Sequence, residues 1–484
     1  MTAPRSLLLP TLYSLLSILI LAPASADTVR PGDSDTRTLT ILAVNDMHAA
    51  IDQFPRFAAI VADARAADTN LLLLSAGDNR TGNPVNDRHE TPGLPMVELM
   101  NRLRFDATAL GNHEFDSGTA GLNALIARAD FPYLCANIDA PPALRLHTQP
   151  FRFFERNGIR VGVLGLLQTG PAGIPDTHPA NVAGITFRPV IDTAKDYRWM
   201  RDQCDVLILL THFGYEDDLK LADAIPEADI IIGAHSHTVV PSRILRNGVL
   251  VTQAGRVLKN VTELTLEVSG SRVTAKGYRL IPVDPDGPRD LAIQTLVDSY
   301  NSNELFSHVL TTVATPFGHV EELGCLMADA HRAGTQSDIA IVNFGGVRYD
   351  THPAGPFLMK DALMLDPFNN SLITFDMTGA DIHQLILSAY AIGENPYVSG
   401  ITYRVAFNAD TTVSALAVLT PDGQPLPPSQ TYRVAINSYL STVCPFTKDR
   451  PGTDTNIGAT DALIEHMKKQ PTVSYQGIRR ILAN

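Results

Sequence analysis

Residues 111–116 read Gly-Asn-His-Glu-Phe-Asp, directly after the apolar run 107–110. An amide and an imidazole stand side by side, and a carboxylate follows three residues past the imidazole. Asn112 offers an amide oxygen suited to a hard or borderline cation. His113 can move a proton near neutral pH, and Asp116 can fix its tautomer from behind. Alone, these residues fit equally well a strand end turning through Gly-Asn into a helix with a solvated histidine.

Four other short apolar runs end in groups of the same kind. Residues 39–44 run into Asp46 and His48, 71–74 into Asp78, 206–210 into His212, and 230–232 into His235 and His237. Each has an ordinary reading as a turn, a packed core histidine or the wet face of a strand. All five together, at the same end of their strands, do not. Ligands bind outside the carboxyl ends of strands in an α/β sheet, where groups remote in sequence meet. The set Asp46, His48, Asp78, Asn112, His212, His235 and His237 mixes carboxylate, amide and imidazole, which suits Zn, Mn, Fe or Co rather than Ca or Mg alone. It is too large for one tetrahedral ion and fits two divalent ions sharing a bridging carboxylate. Such pairs sit about 3.5–4 Å apart, acidify water and clamp an in-line displacement. The implied reaction is hydrolysis of a phosphoester.

The elements that position these groups follow from hydrophobic pattern. The runs are continuous rather than alternating, as in strands buried on both faces. Helical periodicity occupies 57–67, 94–103, 121–129 and 192–202. Hairpins are expected at Asn157-Gly158, Asn247-Gly248 and Ser269-Gly270. A strong linker, 282–290, precedes a polar helix over about 291–309. The chain has 484 residues, too many for one core. The expected division is a signal peptide at 1–26, a disordered lead at 27–36, a catalytic domain at 37–285, a linker and connecting helix at 286–312, and a second mixed α/β domain at 313–484. The signal reading rests on Arg5, the apolar stretch 7–21 and the small-residue site Ala24-Ser25-Ala26. It implies a secreted or periplasmic protein. The run is short for a membrane span, and no later stretch is long and apolar enough for one. A formal charge of −13 without a basic stripe argues against a nucleic-acid polymer as partner. The four cysteines are too few for a disulfide scaffold.

These motifs resemble the calcineurin-like metallophosphoesterases, and more narrowly the periplasmic 5′-nucleotidase, 2′,3′-cyclic phosphodiesterase and UDP-sugar hydrolase family. The resemblance covers nearly the whole mature chain. It implies a four-layer αββα sandwich followed by a smaller substrate domain, acting as a monomer or weak dimer on a nucleotide or related phosphoester. By that likeness Asp46, His48, Asp78 and His237 hold one metal, and Asp78, Asn112, His212 and His235 the other, with Asp78 bridging. His113, steadied by Asp116, faces the phosphoryl group and leaving group. In the second domain, Asn343 to Arg348 (Asn-Phe-Gly-Gly-Val-Arg) resembles the family's substrate loop. The loop containing Phe368 and Asn370 and the loop containing Tyr439 resemble the two that clamp a base between aromatics.

Two places depart from the family. Relatives usually follow the second aromatic with Gly-Gly-Asp-Gly, whose Asp touches ribose, whereas this chain has Ser441-Thr442-Val443-Cys444-Pro445-Phe446. Near Gly324 relatives tend to carry arginines, whereas this chain has Glu321, Glu322 and Cys325. The joint change suggests a Cys325–Cys444 disulfide at the pocket rim. It also leaves phosphoester hydrolysis better supported than nucleotide hydrolysis. Alternatives are hydrolysis of a sulfur-linked group on the same fold, which the loop 77–84 argues against, and a non-catalytic nucleotide-binding protein, which the intact ligand set argues against.

Overall fold

The computed structural model describes residues 36–170 and 172–482. The expected signal peptide and all of the lead except Thr36 lie outside them. The first half is two six-stranded sheets. One runs in the order Arg272–Pro282, Asn260–Ser269, Arg37–Val44, Leu72–Ser75, Ala107–Ala109, Tyr133–Leu134. The other runs Ile244–Arg246, Val249–Thr252, Ile230–Ile232, Val206–His212, Ile159–Leu167, Phe151–Arg156. The strands that end in candidate ligands are parallel to their sequence-adjacent partners within each sheet.

The continuous apolar runs have a direct cause. Leu39, Ile41 and Ala43 point into the layer between the sheets, against Leu74, Val161, Ile208 and Ile230. Leu42 and Val44 point the other way, into a helical layer containing Phe54, Phe57 and Leu99. A third layer, with Leu207, Leu209 and Leu221, covers the outer face of the second sheet. The result is the four-layer sandwich. Each fully buried Leu or Ile contributes roughly 1.5–3 kcal/mol relative to exposure, so the central layer fixes the strand ends firmly. All three expected hairpins form.

The second half is built on a five-stranded mixed sheet in the order Tyr397–Ser399, Ile339–Val342, Thr431–Asn437, Ser371–Thr378, Thr453–Gly458. The helix Val320–Thr335 packs on one side and Gly379–Ala391 on the other. The connecting helix is shorter than expected, Leu291–Tyr300. The Thr295 and Ser299 hydroxyls bond back to helix carbonyls. Asn303 then caps a separate turn, Glu304–Ser307. No helix of the described residues is long and apolar enough to cross a membrane.

The expected Cys325–Cys444 bridge does not form. All four cysteines are free and buried. Cys325 packs in the cluster beneath the helix Val320–Thr335. Cys444 packs in another cluster, its thiol donating to Ser388 Oγ at 3.3 Å. Glu321 and Glu322 are likewise committed elsewhere. Glu321 accepts the backbone N–H groups of Arg480 (2.7 Å) and Ile481 (2.9 Å). Glu322 accepts that of Gly477 (2.8 Å) and the Arg479 guanidinium (3.0 Å). Both clasp the C-terminal tail.

Candidate metal centre

Five strand ends deliver the candidate ligands to one edge of the sandwich. Local backbone there is unusual. Asp46, His48, Asp78, His235 and His237 all have positive φ, between 45° and 78°. Non-glycine residues rarely sit there, and each such position costs on the order of 1–3 kcal/mol unless neighbours over-determine it. Neighbours do so here. Asp46 N–H donates to Gly77 O (3.0 Å), His48 N–H to Asp78 O (2.9 Å) and His235 N–H to the Asp46 carboxylate (3.0 Å). Glu114 accepts the N–H groups of Asp78 (3.0 Å), Asn79 (2.9 Å) and Gly111 (2.6 Å), tying two strand ends together. Gly111 must be glycine: a Cβ there would stand 2.1 Å from Asp78 Oδ1.

The side chains fall into two overlapping groups around Asp78. In the first, His48 Nε2 is 3.0 Å from His237 Nε2 and 3.9 Å from Asp78 Oδ2, and Asp46 Oδ1 is 3.5 Å from His237 Nε2. In the second, His212 Nε2 is 3.3 Å from Asp78 Oδ2 and 3.1 Å from Asn112 Oδ1, which is 3.2 Å from His235 Nδ1. Two imidazoles are oriented from behind. His48 Nδ1 faces Thr81 O (3.1 Å) and His212 Nδ1 faces Ala76 O (2.9 Å), which turns each Nε2 inward. On the far side of His235, Asp176 lies 3.3 Å from Nε2 and is placed to hold that ring in turn.

Electrostatics favour cations among these groups. Burial raises the Asp46 carboxyl to about 6, partly opposed by His212. Burial works against a charged His212, but Asp78 and Asp46 overcome it and lift its pKa to about 10. Burial and Arg348 push His48 well down, into the neutral form a metal requires. Buried carboxylates need a positive partner; the His212 imidazolium supplies one here, and once it gives up its proton to a metal this donor set, two carboxylates with an amide and imidazoles, fits a pair of divalent ions.

His113 sits beside these groups. Its Nδ1 is 2.8 Å from Asp116 Oδ2 and its Nε2 is 3.9 Å from Asp78 Oδ2. Burial lowers its pKa, but Asp116 and Asp78 outweigh burial and leave it raised. Its ring stacks on Phe368 with centroids 5.8 Å apart.

Residues 39–239 match the calcineurin-like phosphoesterase family and residues 307–444 the 5′-nucleotidase C-terminal domain. The chain is a 5′-nucleotidase-like metallophosphoesterase. It is 28% identical to a 5′-nucleotidase of Vibrio cholerae over 95% of both chains. It superposes on a 5′-nucleotidase precursor from Thermus thermophilus with a TM-score of 0.82 and 26% identity, covering 92% of this chain and 99% of that one. A sulfate thiohydrolase from the same organism shares the fold, with a TM-score of 0.77, 15% identity and 94% and 97% of the two chains covered.

The candidate ligands face a cavity that residues of the second half also line. The cavity, about 880 Å³, is lined by Asp78, Asn112, His113, His235 and His237 on one side and by Asn343, Arg348, Phe368, Asn370 and Tyr439 on the other. All five expected substrate residues therefore reach it. Arg348 Nη2 lies 3.1 Å from the His48 ring nitrogens, and its guanidinium is 5.6 Å from the Phe368 centroid. Asn370 Oδ1 accepts from Ser438 Oγ (3.0 Å) and Tyr439 N–H (3.1 Å), so it joins the two aromatic loops. Glu114, Asp176 and Glu394 escaped sequence reasoning. Glu114 lies within the 111–116 stretch, but neither its type nor its spacing sets it apart from its polar neighbours Asn112, His113 and Asp116. The other two sit in loops with no signal.

Proposed function

We propose that the chain hydrolyses the phosphate ester of a nucleoside 5′-monophosphate or a close relative, using two divalent ions held by the two groups that share Asp78. The observation that carries this reading is the junction itself: paired ligand groups open onto a cavity whose far wall holds Arg348 and the aromatics Phe368 and Tyr439. Divalent ions in such sites act as Lewis acids and lower the pKa of water. The protein supplies the rest. Arg348 presents a planar fork of N–H donors to phosphate oxygens. His113, with Asp116 holding Nδ1, directs Nε2 inward and delivers a proton to the leaving oxygen. Phe368 and Tyr439 line the space a base would occupy. Stacking contributes on the order of 1–3 kcal/mol per base and tolerates base identity. The N-terminal pattern at 1–26 supports action outside the cytoplasm, and the 5′-nucleotidase names of the relatives support the substrate class.

The test is hydrolysis by the purified mature chain with Mn, Co or Zn, read as phosphate or nucleotide from the phosphoesters and as sulfate from the thiosulfate ester. The panel contains nucleoside monophosphates, cyclic nucleotides, UDP-sugars, p-nitrophenyl phosphate and a thiosulfate ester. Nucleoside monophosphates are expected to lead in kcat/KM. Turnover confined to the thiosulfate ester, or metal-independent turnover, would refute the reading.

A further inference from the structure

Glu394 has no part in the chemistry above, yet it lines the same cavity. It follows the helix Gly379–Ala391 in the turn that leads to the strand Tyr397–Ser399. Its Oε2 accepts the Gly345 N–H at 3.0 Å and the Asn343 amide at 3.1 Å. Its Oε1 accepts no hydrogen bond among the described residues. Asn343 in turn accepts from Asn437 at 2.8 Å. Asn437 caps the helix Ser438–Val443, which carries Tyr439. One carboxylate oxygen is thus fixed by the network that positions the aromatic, and the other is left for a ligand.

We propose that Glu394 determines specificity by accepting hydrogen bonds, through Oε1, from a pair of hydroxyls on the leaving group. This deepens the phosphohydrolase reading and rests on it. A carboxylate oxygen has two acceptor positions, and a vicinal diol of a sugar fills both. A neutral hydroxyl pair supplies these donors without bringing a further anion against Asp176, which lines the same cavity.

The experiment compares wild type with Glu394→Gln and Glu394→Ala on adenosine 5′-monophosphate, its 2′,3′-dideoxy analogue and p-nitrophenyl phosphate. Hydrogen bonds to charged groups are strong enough to separate the diol from the dideoxy substrate by about 10-fold or more. We expect wild type to prefer the diol by that factor, mainly through KM, and both variants to bring the preference to within about 3-fold. Equal loss on all three substrates would mean that Glu394 only supports the Asn343–Arg348 loop, and would overturn the proposal. So would a wild type without preference, or variants that retain it. Equilibrium dialysis with adenosine and 2′,3′-dideoxyadenosine separates this failure from failure of the hydrolase reading. A diol preference in binding that Glu394→Gln abolishes, with no turnover of any phosphoester, sinks the hydrolase and keeps the residue. Absence of that preference sinks the residue alone.

Discussion

Replacing Gly111 with alanine adds one methyl group and no charge, yet it should disable the centre. The new Cβ would lie 2.1 Å from Asp78 Oδ1, 2.5 Å from Asp78 N and 2.8 Å from its carboxyl carbon. Ordinary contact starts near 3.4 Å, so the Asp78 carboxylate must retreat by about 1 Å. It cannot pivot freely. Oδ1 accepts the His113 N–H at 2.9 Å, and the Asp78 N–H is bound to Glu114. The displaced group is the one shared by both ligand sets. A misplacement of about 1 Å at a reacting centre costs on the order of 10²-fold, so kcat should fall at least that far, with metal content dropping below two ions per chain. Elemental analysis of the purified variant reads the metals, p-nitrophenyl phosphate turnover reads kcat, and circular dichroism reads the fold. Gly111→Ala with two ions bound and activity within about 3-fold of wild type would refute the argument that Asp78 is held rigidly between the two sets.

Three further outcomes are expected. His113→Ala should keep both metals and lower turnover by about 10²–10⁴-fold, the usual contribution of a positioned acid–base group; loss of metal instead would make His113 a ligand. Asp78→Ala should deplete both ions, measured by elemental analysis, whereas Asn112→Ala should deplete only one. Fully buried His331 has its pKa lowered to about 4, because burial disfavours the imidazolium and the Ala459 backbone only partly compensates. The unfolded chain therefore binds more protons between about pH 6.5 and 4, so the neutral ring's contribution is complete above 6.5 and is lost as pH falls through 4. That amounts to roughly 3 kcal/mol. Urea denaturation at pH 7 and pH 4.5 should show a smaller acid loss for His331→Leu than for wild type, and equal losses would contradict the burial argument.

Much of the metal side was legible in the sequence because type and position coincide there. A buried parallel strand reads as a continuous apolar run, and the first polar groups after it, such as Asp78 after 72–75, project from its carboxyl end. The supporting carboxylate Glu114 was not legible as such. Its partners are backbone N–H groups on another strand end, and backbone donors leave no trace in residue identity. The helix Tyr215–Ala224 was missed for a related reason: Glu216, Asp217 and Asp218 fill its first turn and break the apolar period. The disulfide expectation failed because a changed motif does not reveal what covers it. Cys325 and Cys444 were absorbed into separate cores.

That contrast has a physical basis. The metal side stores strain in five left-handed backbones, and four of them, Asp46, His48, Asp78 and His235, are held by hydrogen bonds to another strand end. A substitution there disturbs several elements at once. The cavity's far wall has little such strain. Its positions are set by side-chain amides, Asn343 to Asn437 and Asn370 to Tyr439, and by one half-used carboxylate. Changing one of these amides or the carboxylate alters contacts within the cavity wall and leaves the strand ends in place, whereas Arg348 against His48 and Phe368 stacked on His113 tie that wall to the centre. Selectivity among phosphoesters can therefore change by side-chain replacement at Asn343, Asn370 and Glu394, while the chemistry at Asp78 stays as it is.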